Sequence, residues 1–503
     1  MSKSLTDKTI SGLNWNFLNN YANVIISTIV GIVLARLLTP QDFGIIGMVY
    51  IFIGLADLFA TLGMGQSIIR INNINENHIR VATTLTITSS ILICLIFYLT
   101  APLIADFYNE SRIISIIKAL SFLFLIKGLT TVSYAQLQKN LDFRTIMLIS
   151  IASSLTYGVI SSTLAVIGFG VWSLVFGNII SAILACLLTL KKYPANLKPL
   201  IKKDEFKELA GFGSGVSLSN VLLYGSSNID YLIIGKFINS YALGLYTRAF
   251  NLMTNSIDKV SGGMFTVLFP AFAAVQNEKE KLRKAYLRSI RTASFFLFPI
   301  LASMIVTANY IINGLYGTKW SGAVRTFQIL AFAGILRSTL IFSGAVAHAT
   351  GRIYAESGQQ LVYFLILGGC AYYGIRNGIE GVAAAVVIAL IWMFFAQSYL
   401  AIKMIESSWK DFFKALIPAA NNLIIMVTVN LILVFFLEKY LPINSYEIKL
   451  LITVMINFSV FLCIIVFVPS SIKGDTFDWI IEKYRKFIPS PFIKFYFSLN
   501  AQK

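Results

Sequence analysis

The chain has 503 residues, of which 57% are hydrophobic and 13% charged, with a mean hydropathy of +0.75. A soluble domain carries about 25% charged residues, so this composition excludes an ordinary soluble enzyme and calls for a bilayer. The net charge of +18 would suggest nucleic acid on a soluble protein, but in a membrane protein cytoplasmic loops gather Lys and Arg and must be counted first.

The N-terminus, Met1 to Ser11, is polar and lacks a signal-peptide cleavage pattern; the apolar run behind it is long enough to stay as a transmembrane helix. At about 20 apolar residues per crossing, the chain reads as fourteen spans: 13–36, 45–68, 81–104, 113–135, 146–168, 172–190, 211–234, 245–269, 292–313, 321–345, 358–375, 381–402, 416–437 and 449–468. Spans 5 and 6 meet in a tight turn at Gly168-Phe169-Gly170. Three cytoplasmic segments stand out. Lys191 to Glu208 is a basic linker, Gln276 to Arg291 reads as a charged helix at the membrane surface, and Ile472 to Lys503 mixes aromatics with cations as a headgroup-layer helix does.

An even count puts both termini on one side. The loops on that side hold 28 of the 41 Lys and Arg, and the opposite loops hold seven. The termini are therefore expected in the cytoplasm. The same count absorbs most of the charge, leaving nucleic acid no role. Cys94, Cys186, Cys370 and Cys463 lie in apolar runs without metal or redox spacing, and His78 and His348 are isolated. No metal or cofactor is expected. No outer loop exceeds about a dozen residues, which leaves no outside domain to house catalysis.

Two hairpins echo each other 200 positions apart. Ala35-Arg36-Leu37-Leu38-Thr39-Pro40-Gln41-Asp42-Phe43-Gly44 and Gly235-Lys236-Phe237-Ile238-Asn239-Ser240-Tyr241-Ala242-Leu243-Gly244 each end a helix on a cation and restart it through a polar turn. The shared geometry points to a duplicated architecture. The fold expected is an all-α polytopic membrane protein with two pseudo-symmetric six-helix lobes, 1–190 and 209–402. A linker (191–208) joins them, and two extra spans (403–468) and a tail (469–503) follow.

Polar groups at membrane depth are costly and usually mark a pathway. In span 8, Arg248, Asn251, Asn255 and Asp258 recur at helical spacing, with Lys259 on the same face. Span 1 carries Asn16, Asn20, Asn23 and Ser27; span 2 carries Tyr50, Gly54, Asp57, Thr61 and Gly65; span 7 carries Ser217, Asn220, Tyr224, Ser227 and Tyr231 beside Asp230. Four such faces favour a water-filled cavity, with interhelical hydrogen bonding as the competing role. Arg36 ends a helix, where snorkelling is ordinary; Lys127 and Arg337 lie deeper and rank second for ligand contact.

Leu34-Ala35-Arg36-Leu37-Leu38-Thr39-Pro40-Gln41-Asp42-Phe43-Gly44, Leu62-Gly63-Met64-Gly65, Leu137-Gln138-Lys139-Asn140-Leu141-Asp142-Phe143-Arg144 and Asp230-Tyr231-Leu232-Ile233-Ile234-Gly235-Lys236 carry a resemblance over nearly the whole chain. It resembles polysaccharide exporters of the multidrug/oligosaccharidyl-lipid/polysaccharide superfamily, on the branch of colanic-acid and O-antigen flippases. The resemblance implies lobes related by a pseudo-two-fold axis along the membrane normal. It also implies an undecaprenyl-pyrophosphate-linked substrate in the bacterial cytoplasmic membrane, with pathway glycosyltransferases and polymerase as partners. Arg248 and Lys259 suit the pyrophosphate, and the amides and hydroxyls of spans 1, 2 and 7 suit sugars. Asp57, Asp230 and Asp258 suit neutralisation of vacant cations or coupling to a proton or Na⁺. A multidrug exporter and a membrane glycan polymerase or ligase are the alternatives.

Overall fold

Each apolar run folds as an α-helix, because backbone N–H and C=O groups inside a bilayer have no water to bond and must pair within their own segment. The computed structural model describes residues 5–60, 63–71, 74–440, 443–469 and 481, with side chains at all of these except 5–11, 13, 210–222, 258–267 and 353. Among the described residues there are sixteen α-helices, two short 3-10 helices and no strand. The first eight are α1 (Leu5–Leu37), α2 (Pro40–Ala60), α3 (Met64–Arg70), α4 (Glu76–Tyr108), α5 (Ile113–Lys139), α6 (Phe143–Val166), α7 (Val171–Lys192) and α8 (Lys203–Phe237). The others are α9 (Ser240–Ala274), α10 (Lys279–Val306), α11 (Ala308–Tyr316), α12 (Val324–Ala349), α13 (Ile353–Gly374), α14 (Gly378–Met404), α15 (Trp409–Lys439) and α16 (Tyr446–Phe467).

Eleven segments among the described residues are long and apolar enough to cross a membrane, and one of them, Tyr354–Met404, holds both α13 and α14. The polar-rich α8 and α9, 35 residues each, fall outside the eleven, so hydropathy alone does not reach the expected fourteen.

Three boundaries differ from expectation. Gly63 takes a left-handed φ of 66° between α2 and α3, and α3 starts at Met64. Gly65 is therefore on a different helix from the Tyr50–Asp57 face, and Thr61 lies outside the described residues. Span 9 divides at Thr307, between α10 and α11. The charged stretch Gln276 to Arg291 is not a separate surface helix; from Lys279 onward it is the first half of α10. The 168–170 turn forms as expected, with φ of 95° at Gly168 and 52° at Gly170. Apart from Ile481, the tail from Ile472 lies outside the described residues.

The echoed hairpins fold alike. Thr39 caps α2, its hydroxyl accepting from Asp42 N–H at 3.3 Å while Asp42 Oδ2 accepts from Thr39 N–H at 2.9 Å. Asn239 caps α9, its Oδ1 accepting from Ala242 N–H at 2.8 Å. The two helix starts also touch. A Cβ placed on Gly44 would lie 1.6 Å from the Ser240 carbonyl oxygen, and one on Gly244 1.8 Å from the Pro40 carbonyl oxygen. Only a residue without a side chain permits that approach.

Glu110 braces this contact. Its two oxygens accept from Arg112 Nε and Nη2, each at 2.8 Å, and it also accepts from the Ser240 hydroxyl. The Arg112 hydrogen bonds hold its carboxyl below the usual carboxylate range. A lowered folded pKa stabilises fully above the ordinary carboxylate pKa of about 4.3 and loses that contribution as pH falls through the lowered value. Glu110→Gln is expected to lower the melting temperature of the detergent-solubilised protein at pH 7. The Arg112 side chain is half exposed, so solvent screens the pair and the loss is less than about 1 kcal/mol. The gap from wild type should close on acidification below about pH 4; a gap unchanged by pH would contradict the assignment.

Contacts divide the chain into two units, one up to Gly244 and one from Leu245 onward. In the first, α1 packs on α6, α2 lies against α5, α7 and α8, and α4 packs on α5 and α8. In the second, α10 packs on α12 and α15, α14 packs on α12 and α13, and α11 packs on α16. There the buried Asn430 of α15 donates to the Met426 carbonyl at 2.7 Å and to Asn457 Oδ1 of α16 at 2.8 Å. This amide joins helices in the way polar groups do where water is absent.

Candidate functional site

The polar groups brought together best are in the first unit. Tyr50, Gly54 and Asp57 fall on one face of α2 at spacings of four and three. Tyr224 of α8 crosses that face at Gly54, where a Cβ would lie 2.2 Å from its hydroxyl. The gap lets the phenol reach the α2 backbone, and it donates to the carbonyls of Tyr50 at 3.1 Å and Ile51 at 2.9 Å. Asn178 of α7 donates to the Tyr50 hydroxyl and to the Leu174 carbonyl.

One turn beyond Gly54, Asp57 pairs with Lys127 of α5 through Oδ2. Lys127 stands midway along α5, about 20 Å from its start at 1.5 Å per residue. Its side chain is 46% exposed and that of Asp57 31%. An ammonium at such depth against lipid is expensive, and the carboxylate of Asp57 offsets part of that cost. The structure thus joins one first-rank and one second-rank candidate in a single ion pair.

The remaining candidates are placed as follows. Asn23 bonds α1 to α6, its Nδ2 donating to Ser150 Oγ at 2.9 Å and its Oδ1 accepting from Ser154 Oγ at 2.6 Å; it acts as a helix joint. Asn20, a turn earlier on α1, is exposed. Asp230 is buried, with Oδ1 accepting from Tyr231 N–H at 3.0 Å. Arg36 is exposed in the last turn of α1. Lys236 does not aim at a ligand: it donates to the Phe107 carbonyl at the end of α4 and lies 4.8 Å from that ring's centroid.

In the second unit, Ala249, Met253 and Ile257 bury one side of α9 while Asn251 and Asn255 are exposed on another. Arg248 is half-buried, close enough to Tyr316 for its charge to act on the phenol. Arg337 is half-buried on α12. The side chains of Asp258 and Lys259, and of Ser217 and Asn220 on α8, lie outside the described residues. Among the described residues no group of three or more His, Cys, Asp or Glu is placed to hold a metal ion.

Sequence reasoning missed Asn178. Its only local signal is a single amide within the apolar run Val171–Leu190. Tyr50 and Tyr224 lay on the polar faces but were not ranked, because nothing local says that a tyrosine will reach another helix's backbone.

The model of the polysaccharide biosynthesis protein family matches residues 33–325. The chain belongs to that family. It is similar to the teichuronic acid biosynthesis protein TuaB of Bacillus subtilis, at 26% identity over 373 residues, covering 72% of this chain and 77% of that one. It is also similar to the succinoglycan biosynthesis transport protein ExoT of Rhizobium meliloti, at 20% identity over 451 residues, 88% and 89% of the two chains. Among solved structures, the lipid II flippase MurJ in an inward closed conformation superposes with a TM-score of 0.70 at 15% identity, covering 95% of this chain and all of the other. The fold is thus the one seen in that flippase structure.

Proposed function

We propose that this protein flips a lipid-linked oligosaccharide repeat unit from the cytoplasmic to the outer leaflet during synthesis of a surface polysaccharide. The observation that carries the reading is the Lys127–Asp57 pair. It is a half-exposed cation midway along an apolar helix, on a fold shared with a lipid II flippase and in a family of polysaccharide biosynthesis proteins. An anionic headgroup needs a fixed cation to leave water, and sugars need amides such as the exposed Asn20 of α1. The prenyl chain has no such need and can stay in lipid.

Alternating access of two lobes, 1–190 and 209–402, accounts for the paired hairpins, and the loop charges favour cytoplasmic termini in a bacterial cytoplasmic membrane. A proton or Na⁺ gradient can drive the cycle through Asp57, Asp230 or Asp258. The pathway's glycosyltransferases supply the cargo and its polymerase consumes it. The absence of an outer loop long enough for a catalytic centre favours transport over glycan polymerisation or ligation.

The test uses proteoliposomes loaded with fluorescent undecaprenyl-pyrophosphate oligosaccharide, with outer-leaflet label quenched over time. Wild-type protein should move the label across. Replacing Arg248 and Lys259 together by Ala is expected to slow it at least about tenfold, the effect of losing one charge-assisted contact. Unchanged translocation in that variant would remove the α9 cations from the pathway. A wild-type protein that moves organic cations instead would replace the reading with the multidrug one.

A further inference from the structure

We infer that Lys127 is the anion receptor of the first unit and that Asp57 is its resting counter-ion, which occupies the receptor until the phosphate group of the cargo displaces it. This rests on the flippase reading and assigns a division of labour within it.

The cations of the first unit are not equivalent. Lys139 donates to the carbonyls of Ile68 and Ile71 at the end of α3. Lys236 donates to the Phe107 carbonyl, and Lys118 lies 4.9 Å from the centroid of the Tyr98 ring. Arg36 is at a helix end. Among the described residues Lys127 is the one midway along a span whose ammonium faces a carboxylate, and it remains nearly half exposed.

The pair is also incompletely satisfied. An ammonium has three donors, and among the described residues only the one to Asp57 Oδ2 is used; Asp57 Oδ1 is buried with no hydrogen-bond partner among them. A pair kept purely for stability is better built with every lone pair and proton bonded. This one keeps donors available on the exposed side and holds its carboxylate poorly. A phosphate group carries more charge than a carboxylate and offers several strong acceptor oxygens to the remaining Lys127 donors. The exchange is reversible: Asp57 left without Lys127 is a poorly solvated charge, and re-forming the pair pushes the anion off. The α2 backbone that carries Asp57 is pinned by Tyr224 nearly two turns away, so the carboxylate stays within reach.

The two partners therefore have opposite effects on binding. The experiment measures equilibrium binding of undecaprenyl pyrophosphate, with undecaprenol as the uncharged probe, to the full chain in nanodiscs. Wild type is expected to prefer the pyrophosphate. Lys127→Met should weaken it about ten- to a hundredfold, the range for a hydrogen bond to a charged group, and Lys127→Arg should restore most of it. Asp57→Asn should tighten it and, in the proteoliposome assay, slow turnover at saturating cargo. If the Lys127 and Asp57 variants both weaken binding, or neither changes it, the pair is structural and the assignment is wrong while the flippase reading stands. If wild type itself shows no preference for pyrophosphate over undecaprenol, both fail together.

Discussion

Gly44→Ala is expected to destabilise the protein, against the ordinary preference of helices for alanine. Within a helix, exchanging Gly for Ala gains about 1 kcal/mol. Here the added carbon would stand 1.6 Å from the carbonyl oxygen of Ser240. A flexible side chain could swing aside; a backbone carbonyl in the first turn of α9 cannot, so the two helix starts must part. Overpacking costs about 1–3 kcal/mol when a core can adjust, and this contact leaves little adjustment. The net loss should be about 2 kcal/mol, measured by thermal unfolding in detergent. Gly244→Ala should behave alike, since its carbon would meet the Pro40 carbonyl at 1.8 Å. Both changes separate the same surfaces, so the double variant should cost well under the sum of the two. Additive losses, or no loss at all, would show that the hairpins do not touch this way.

Gly128→Val is the second large effect. Gly128 lets α5 lie against α4, where a Cβ would be 2.3 Å from Ser90 Oγ and 2.9 Å from the Thr86 carbonyl oxygen. The hydroxyl of Thr86 donates to the Gly128 carbonyl at 3.0 Å across the same contact. A valine must push the helices apart and break that hydrogen bond, for a cost of about 2–4 kcal/mol from overpacking and the lost bond together. The displacement moves the neighbouring residue, Lys127, relative to Asp57, so translocation should fall together with stability. Ser90→Gly removes both Ser90 atoms that the new side chain meets and should recover part of each loss; failure to recover any would place the damage elsewhere.

Contrast these with Gly54, which also faces a close neighbour. There the obstructing atoms are the far end of the Tyr224 side chain, which can swing aside at the loss of its two hydrogen bonds to α2. Three glycines with similar free space around them thus differ by what stands opposite, and that is invisible along the chain.

The sequence by itself determined the class of the protein. Composition demands a bilayer, a bilayer demands helices, and the helix ends follow from Thr39, Asn239 and the glycine turns, all of which act within a few residues of themselves. The equivalence of the two hairpins was also legible, because a repeat is a property of the string. Only the tertiary structure decided that Gly44 and Gly244 touch, that Asn23 joins α1 to α6, and that Lys127 is Asp57's partner. It also decided that the helix breaks at Gly63, though the hydropathy runs on. Helical periodicity says which residues share a face; it carries no information on which other helix that face meets. The partner of a buried charge is chosen by packing between segments tens of residues apart, and only coordinates hold that choice.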